Sequence, residues 1–182
     1  GLVLPRRASH DTHTTHNPTQ HDTTQVDTPA VSLQDAFDAS CGAGKVTFFD
    51  AAEGNEDAIK AATTVLVLAG TTSSEGSDRD DLSLGDDDDL VAAVAALSDA
   101  VVVAVSTPGA FLTPWADDVE ALLVTWMGGQ QLAPALADLV LGAVAPSGKL
   151  PLTLPNVENE VGFTEAQYPG IADPNPPEGC DV

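Results

Sequence analysis

Two uninterrupted apolar segments constrain the fold of this chain more than any other feature. TTVLVLAG (63–70) and VVVAVST (101–107) each have the length of one β-strand and contain no charged residue. Such runs are typical of strands that are covered on both faces, as in parallel sheets. Between them, DDDDLVAAVAALSDA (86–100) has the pattern of an amphipathic helix with an acidic first turn. The three segments together predict a β-α-β unit.

The remaining segments extend this alternation. We predict strands at 45–50 and 119–127, and a turn followed by a short edge strand at 147–155, where prolines exclude a central position. Further helices are predicted at 31–40, 55–62 and 131–142. The predicted fold class is therefore α/β, a mostly parallel sheet sandwiched by helices, formed by one domain at 31–160.

Both ends of the chain lack a pattern that could build a core. Between Ala8 and Val26 there is almost no apolar residue, so we expect residues 1–30 to form a disordered or extended tail. Residues 161–182 are predicted to form an irregular C-terminal tail. Cys41 and Cys180 lie far apart in the sequence, and whether they form a disulfide is left open.

The charge balance limits the classes of partner. The chain has 28 acidic and 6 basic residues, for a net charge of −22. Nucleic acid and anionic membranes would be repelled, whereas a neutral sugar would not. The sequence contains no apolar run long enough for a transmembrane helix. Because it does not begin with Met, we interpret it as a fragment of a secreted protein whose targeting signal is missing.

Two features resemble metal sites, but neither predicts one. His10, His13, His16 and His21 lie in a Thr-rich segment without a scaffold that could bring them together. The run Asp86–Asp89 lacks the spacing of a calcium-binding loop and coincides with the predicted start of a helix. We therefore expect no metal ion and no cofactor.

The polar loop TTSSEGSDRDDLSL (71–84) is the best candidate for a functional site. Functional groups of open α/β sheets gather beyond the carboxyl ends of the strands, and this loop follows a predicted central strand. Glu75 is flanked by Ser and Gly, so its carboxylate is not crowded, although an exposed loop glutamate without a function has the same pattern. Asp78 and Arg79 are expected to form an ion pair that rigidifies the loop.

The same loop resembles the acid/base loop of family 3 glycoside hydrolases, which include the β-glucosidases. The resemblance continues, in the order of the family, through four further segments and covers about 46–170. These segments are STPGAFLTPW (106–115), VTWMGGQ (124–130), APSGKLPLTLPNVENEV (145–161) and FTEAQYPG (163–170). The chain departs from the family where Leu84 directly precedes Gly85, without the usual proline, and at Gly128-Gly129.

The resemblance implies a retaining exo-β-glycosidase that hydrolyses terminal β-linked sugars, with a β-glucoside or oligosaccharide as substrate. Glu75 matches the general acid/base of the family, whereas the aspartate nucleophile belongs to a separate N-terminal barrel that this chain lacks. The isolated chain is therefore expected to be inactive or nearly so, with the barrel as its missing partner. The alternative is a non-catalytic module that binds a glycan or a partner subunit.

The other residues of the expected site have more than one interpretation. Asp78 and Arg79 either position the loop or contact the sugar. Trp126 follows a predicted strand and either packs in the core or stacks on a sugar face, whereas Trp115 is expected to pack at the start of a helix. A flavodoxin-like phosphate site is disfavoured, because the loop after Gly70 lacks a glycine-rich phosphate cradle.

Overall fold

The computed structural model describes residues 2–5 and 30–171 and has an α/β fold. The sheet contains five strands, β1 (Leu2–Pro5), β2 (Val46–Phe49), β3 (Thr64–Gly70), β4 (Val101–Ser106) and β5 (Ala121–Val124). Their order in the sheet is β2-β1-β3-β4-β5, and all neighbouring strands are parallel. The helices are α1 (Leu33–Cys41), α2 (Glu56–Ala61), α3 (Asp86–Ala95) and α4 (Leu132–Val140), with a 3₁₀ turn at Ala116–Asp118 and a π-helical turn at Ala166–Gly170. The predicted fold class is confirmed.

The sheet is covered on both faces, as the apolar runs predict. Successive side chains of β3 point to opposite faces, so Val65 and Val67 belong to one buried cluster and Leu66 belongs to the other. The first cluster includes Val91 and Val94 of α3. The second cluster includes residues of α1 and α4, among them Phe37, Leu136 and Ala137.

β3 and β4 define the edge at which the candidate site lies. They pair in register from Val65 opposite Val101 to Gly70 opposite Ser106. Both strands therefore end at the same level, and the loops that follow them leave the sheet side by side. This arrangement places residues 71–85 next to the segment that follows β4.

Residues 2–5 correct the prediction of a tail at 1–30. Leu2–Pro5 forms β1, a strand between β2 and β3 that sequence reasoning missed. Four residues are too few to show a pattern, and Arg6 and Arg7 follow them directly. Residues 1 and 6–29 of the predicted tail, including the four histidines, lie outside the described residues.

The predicted edge strand at 147–155 is wrong. Within residues 30–171 this segment has no strand, and its backbone meets the domain at Pro155, whose carbonyl accepts from Thr113 N at 3.0 Å. Pro151 and Pro155 remove two of the backbone donors that a ladder would need. The helix predicted at 86–100 and the strand predicted at 119–127 are present but shorter, as α3 and β5.

Two expectations concern the chain ends and the membrane. Residues 172–182 of the predicted C-terminal tail lie outside the described residues, and so does Cys180, so its pairing with Cys41 stays a prediction. Cys41 donates its thiol proton to the carbonyl of Phe37. Among the described helices, none has the length and apolar character that a membrane crossing requires.

Candidate functional site

The Glu75 loop (residues 71–85) extends from the carboxyl edge of the sheet and is tied to the loop after β4. Thr71 N donates to Ser106 O at 3.1 Å, which prolongs the β3–β4 ladder by one bond. Further along, Leu112 N donates to Leu82 O at 2.9 Å. The first part of the loop is therefore held by β4 itself, and its last part by the loop that follows β4.

Glu75 lies at the tip of this loop in a tight turn. Ser77 N donates to Ser74 O at 3.5 Å, and Gly76 has a φ of 80°, which suits the third position of a type II turn. A side chain at Gly76 would be strained at this φ. Glu75 is exposed and makes no hydrogen bond or ion pair with any described residue. The turn presents the carboxyl group to solvent beyond the end of β3.

Asp87, in the first turn of α3, holds the start of the loop. It is only 4% exposed, and its Oδ2 accepts from Gly70 N at 2.9 Å. The N–H of Thr71 donates to Ser106 in β4. The N–H of Gly70, one residue earlier, therefore points to the opposite side of β3. β1 pairs with Thr64 and Val65 and ends about three residues short of the level of Gly70, so none of the described strands offers an acceptor to the Gly70 N–H.

Asp88, the next residue of α3, holds the end of the loop. Its Oδ2 accepts from Leu84 N at 2.9 Å, and its Oδ1 accepts from Trp115 Nε1 at 2.8 Å. Leu84 is itself buried beneath α3. Sequence reasoning interpreted Asp86–Asp89 only as charge at a helix start. The run of acidic residues indicates a helix start, but it does not indicate that Asp88 binds the indole of Trp115, 27 residues further along the chain.

Arg79 does not form the ion pair that the sequence predicts. Its Nη2 donates to the carbonyl of Ala110 in the loop after β4, and its Nη1 is buried without a hydrogen-bond partner among the described residues. Asp78 is exposed and forms no ion pair with Arg79 in this part of the chain. The guanidinium is bonded to the Ala110 carbonyl instead, while Asp78 remains exposed. Arg79 thus links two loops instead of stiffening one.

The base of the Glu75 loop borders an open depression of about 430 Å³, lined by residues of the loop itself, including Thr72, Asp78 and Arg79. Asp81 also borders it. The hydroxyl of Ser83, at 2.6 Å, and then its backbone N–H, at 2.9 Å, hold the pKa of the Asp81 carboxyl below its ordinary value. The depression is polar and open to solvent, so a bound molecule would be covered on one side only.

The two tryptophans lie in different surroundings. Trp115 is 2% exposed and packs in the core, as expected. Trp126 is half-buried, with a φ of 50°, and its carbonyl accepts from Ser106 Oγ at 2.9 Å. Since Ser106 also accepts from Thr71, one residue links the ends of β3, β4 and β5. Trp126 therefore lies at the same edge as Glu75, beyond β5, and its contact with a sugar stays a prediction.

No metal centre is present among residues 2–5 and 30–171, where no group of three or more His, Cys, Asp or Glu side chains is arranged to hold an ion. The polar groups of the site are carboxylates, hydroxyls and one guanidinium. This set suits hydrogen bonding to a hydroxylated ligand and proton transfer by a carboxyl group.

Comparison with known proteins gives one consistent family. The model of the glycosyl hydrolase family 3 C-terminal domain matches residues 8–178. A β-glucosidase of Rhizobium radiobacter is 40% identical over 125 residues, which are 65% of this chain and 15% of that protein.

Solved structures agree with this result. The Bifidobacterium adolescentis GH3 β-glucosidase superposes with a TM-score of 0.64 and 27% identity, over 94% of this chain and 27% of that chain. DesR, a β-glucosidase from Streptomyces venezuelae in complex with D-glucose, gives a TM-score of 0.56 and 38% identity, over 64% of this chain and 15% of that chain. The chain thus spans less than a third of the length of these relatives. Because the family model covers nearly all of its residues, the chain belongs to glycoside hydrolase family 3, as a C-terminal domain of that family.

Proposed function

We propose that this chain supplies the general acid/base of a retaining exo-β-glycosidase of the β-glucosidase type. Glu75 protonates the leaving oxygen of a terminal β-linked sugar and then takes a proton from the incoming water. An aspartate on a separate barrel domain attacks the anomeric carbon as the protonated leaving group departs and forms the glycosyl-enzyme, which the activated water then hydrolyses. The observation that carries the proposal is the exposed carboxyl group of Glu75 on a turn beyond the carboxyl edge of the sheet.

Three further observations support this assignment. The loop sequence around Glu75 matches the acid/base motif of the family. The relatives and solved structures named above are β-glucosidases, and one of them holds D-glucose. The depression at the base of the loop is lined by hydroxyls, carboxylates and Arg79, which are groups that hydrogen-bond to sugars.

The proposal requires a second domain. In retaining enzymes the two carboxyl groups lie about 5–5.5 Å apart, so the nucleophile must approach the tip of the Glu75 loop closely. A barrel of this kind has roughly 250 residues, whereas the described residues form only the α/β domain. We therefore propose that the chain alone has little or no glycosidase activity and that a family 3 barrel is its partner. The net charge of −22 suits a secreted protein, which is part of the same proposal.

A chimera tests the role of Glu75. In the Rhizobium radiobacter β-glucosidase, the region that matches this chain is replaced by this chain, and hydrolysis of cellobiose and of 4-nitrophenyl β-D-glucoside is measured. Glu75→Gln should lower kcat for cellobiose by about 10²–10⁴-fold, since this is the usual contribution of general acid/base catalysis. Azide, a nucleophile that needs no general base, should restore turnover of the nitrophenyl substrate and yield β-glucosyl azide.

Glu120→Gln is the matched control. Glu120 is also exposed, but it precedes β5 and so lies at the opposite edge of the sheet. Its substitution should leave the rates of hydrolysis of both substrates unchanged. Equal activity of the Glu75→Gln and Glu120→Gln chimeras on cellobiose would exclude Glu75 as the general acid/base.

The second candidate is a non-catalytic module that binds a partner subunit or a glycan. The exposed apolar side chains of the C-terminal segment favour a protein partner, because Val161, Phe163 and Ile171 are 56–78% exposed. A chimera that folds but stays inactive with the native Glu75, together with calorimetric binding of cellobiose by this chain, would favour the glycan-binding form of this alternative.

A further inference from the structure

We propose that Asp88 is a positioning residue for Glu75, acting with Asp87 as a clamp that fixes both ends of the Glu75 loop to the first turn of α3. This inference rests on the proposed function for its catalytic meaning, but the clamp itself is a property of the isolated chain. It assigns a role to two carboxylates that the family motif around Glu75 does not include.

The clamp follows from the distribution of hydrogen bonds along the loop. Within the described part of the chain, the tip has only the local bond between Ser74 and Ser77, whereas the two ends are bonded to adjacent residues of one helix. A helix backbone is stiff, so the separation of the two anchor points is fixed by α3. The position of Glu75 relative to the sheet is then set by the clamp and by the link from Arg79 to Ala110.

Asp88 is the more informative member because it joins three elements. One oxygen holds Leu84 at the end of the loop, and the other holds the indole N–H of Trp115, which is packed in the core. Both acceptor positions are used by neutral donors, so Asp88 is held in one orientation. Its neighbour Asp89 is exposed and has no hydrogen bond or ion pair to a described residue. Asp89→Ala therefore removes the same charge from the same helix turn without touching the clamp.

The full chain provides a direct assay of the clamp. Arg79 is the only basic residue between Lys60 and Lys149, so tryptic cleavage after it gives two unmistakable fragments. Asp88→Ala removes the bonds to Leu84 and Trp115, and loss of the Leu84 bond, which holds the loop to a charged group, should accelerate this cleavage about tenfold relative to cleavage after Lys149. Asp88→Asn keeps a single acceptor and should give an intermediate rate. Asp89→Ala should match the native chain.

An NMR measurement separates the clamp from general destabilisation. In Asp88→Ala the indole N–H resonance of Trp115 should move upfield and the amide of Leu84 should exchange faster, while the amide of Gly70, bonded to Asp87, changes less. Equal cleavage rates for Asp88→Ala and Asp89→Ala, or an unchanged indole resonance, would overturn the clamp.

The chimera described above tests the catalytic consequence. A misplaced acid slows the departure of a poor leaving group more than that of an activated one. Asp88→Ala should therefore lower kcat for cellobiose at least about tenfold more than kcat for an activated aryl glucoside, a ratio that loss of folded protein does not change. If kcat falls by the same factor for both substrates, Asp88 has a structural role and does not position Glu75. If the loop opens but Glu75→Gln has no effect on cellobiose, the clamp stands and the proposed function fails.

Discussion

Replacing Phe111 by Ala tests whether the core determines how firmly the Glu75 loop is held. Phe111 is fully buried in the same cluster as Trp115, although it belongs to the irregular segment after β4. Its two neighbours make the contacts that hold the loop, since Ala110 O accepts from Arg79 and Leu112 N donates to Leu82. Loss of the ring should therefore lower the global stability and loosen both contacts.

The magnitude follows from the burial of the ring. A buried aromatic side chain removes roughly 150–250 Å² from water, which at roughly 25 cal/mol per Å² corresponds to roughly 4–6 kcal/mol. Ala retains a small part of this, so the free energy of unfolding should fall by about 3–5 kcal/mol, as is usual for buried Phe→Ala substitutions. With an m-value of about 2 kcal/mol/M, the urea midpoint should fall by about 2 M.

Phe163→Ala is the matched control, because Phe163 is 56% exposed and the same atoms are removed. Its hydrogen bonds to Asn159 are made by the backbone and persist in the variant. The free energy of unfolding should change by about 0.5 kcal/mol or less. Unfolding is followed by far-UV circular dichroism, and loop opening is followed by tryptic cleavage after Arg79. A midpoint shift for Phe111→Ala that is no larger than for Phe163→Ala would refute the reasoning.

Three further predictions concern the loop ends and the charge. Gly85→Ala should lower the free energy of unfolding by about 1–2 kcal/mol in a denaturant titration, because Gly85 has a φ of 63° and a Cβ there is strained although no atom lies within 4 Å of it. Ser83→Ala should raise the pKa of Asp81 towards its ordinary value, which is measured by NMR from the chemical shift of the Asp81 carboxyl carbon. In the native chain the lowered pKa of Asp81 stabilises the fold at pH values above the pKa of the unfolded state. This stabilisation is lost as the pH falls through the pKa of Asp81 in the folded state. The Tm should rise between 0.01 and 0.15 M NaCl as the net charge of −22 is screened, whereas sorbitol of equal osmolality should have a smaller effect, and a constant Tm would contradict this.

The sheet could largely be predicted because the sequence of each central strand is by itself typical of a buried strand. β3 and β4 are apolar on both faces, and no amphipathic pattern competes with that interpretation. β1 could not be found in the same way. It has four residues, and its neighbours in the sheet begin at Val46 and Thr64, so its pairing depends on contacts far away in sequence.

The site was predicted in part for a similar reason. The exposure of Glu75 follows from local sequence, since small residues flank it and Gly76 permits the turn. Asp88 also accepts from nearby Leu84, but its bond to Trp115 and the bond of Arg79 to Ala110 do not follow from local sequence, because these partners lie on another loop. Local sequence predicts an ion pair between Arg79 and its neighbour Asp78. In the fold, Arg79 instead contacts Ala110, which lies in the loop after the adjacent strand.

The position of Glu75 has a consequence for how a complete active site would be formed. The turn at the tip presents the carboxyl group without any bond to the rest of the described chain, while the loop ends are fixed by α3 and by the loop after β4. Proton transfer needs a carboxyl group within hydrogen-bond distance of the glycosidic oxygen, and this precision exceeds what a turn held only at its ends provides. Under the proposed function, the remaining freedom is removed by the partner domain that carries the nucleophile, so binding of that domain and correct orientation of Glu75 are one event. On the same proposal, the chain therefore holds its acid at the right edge of the sheet, and the partner domain completes the site.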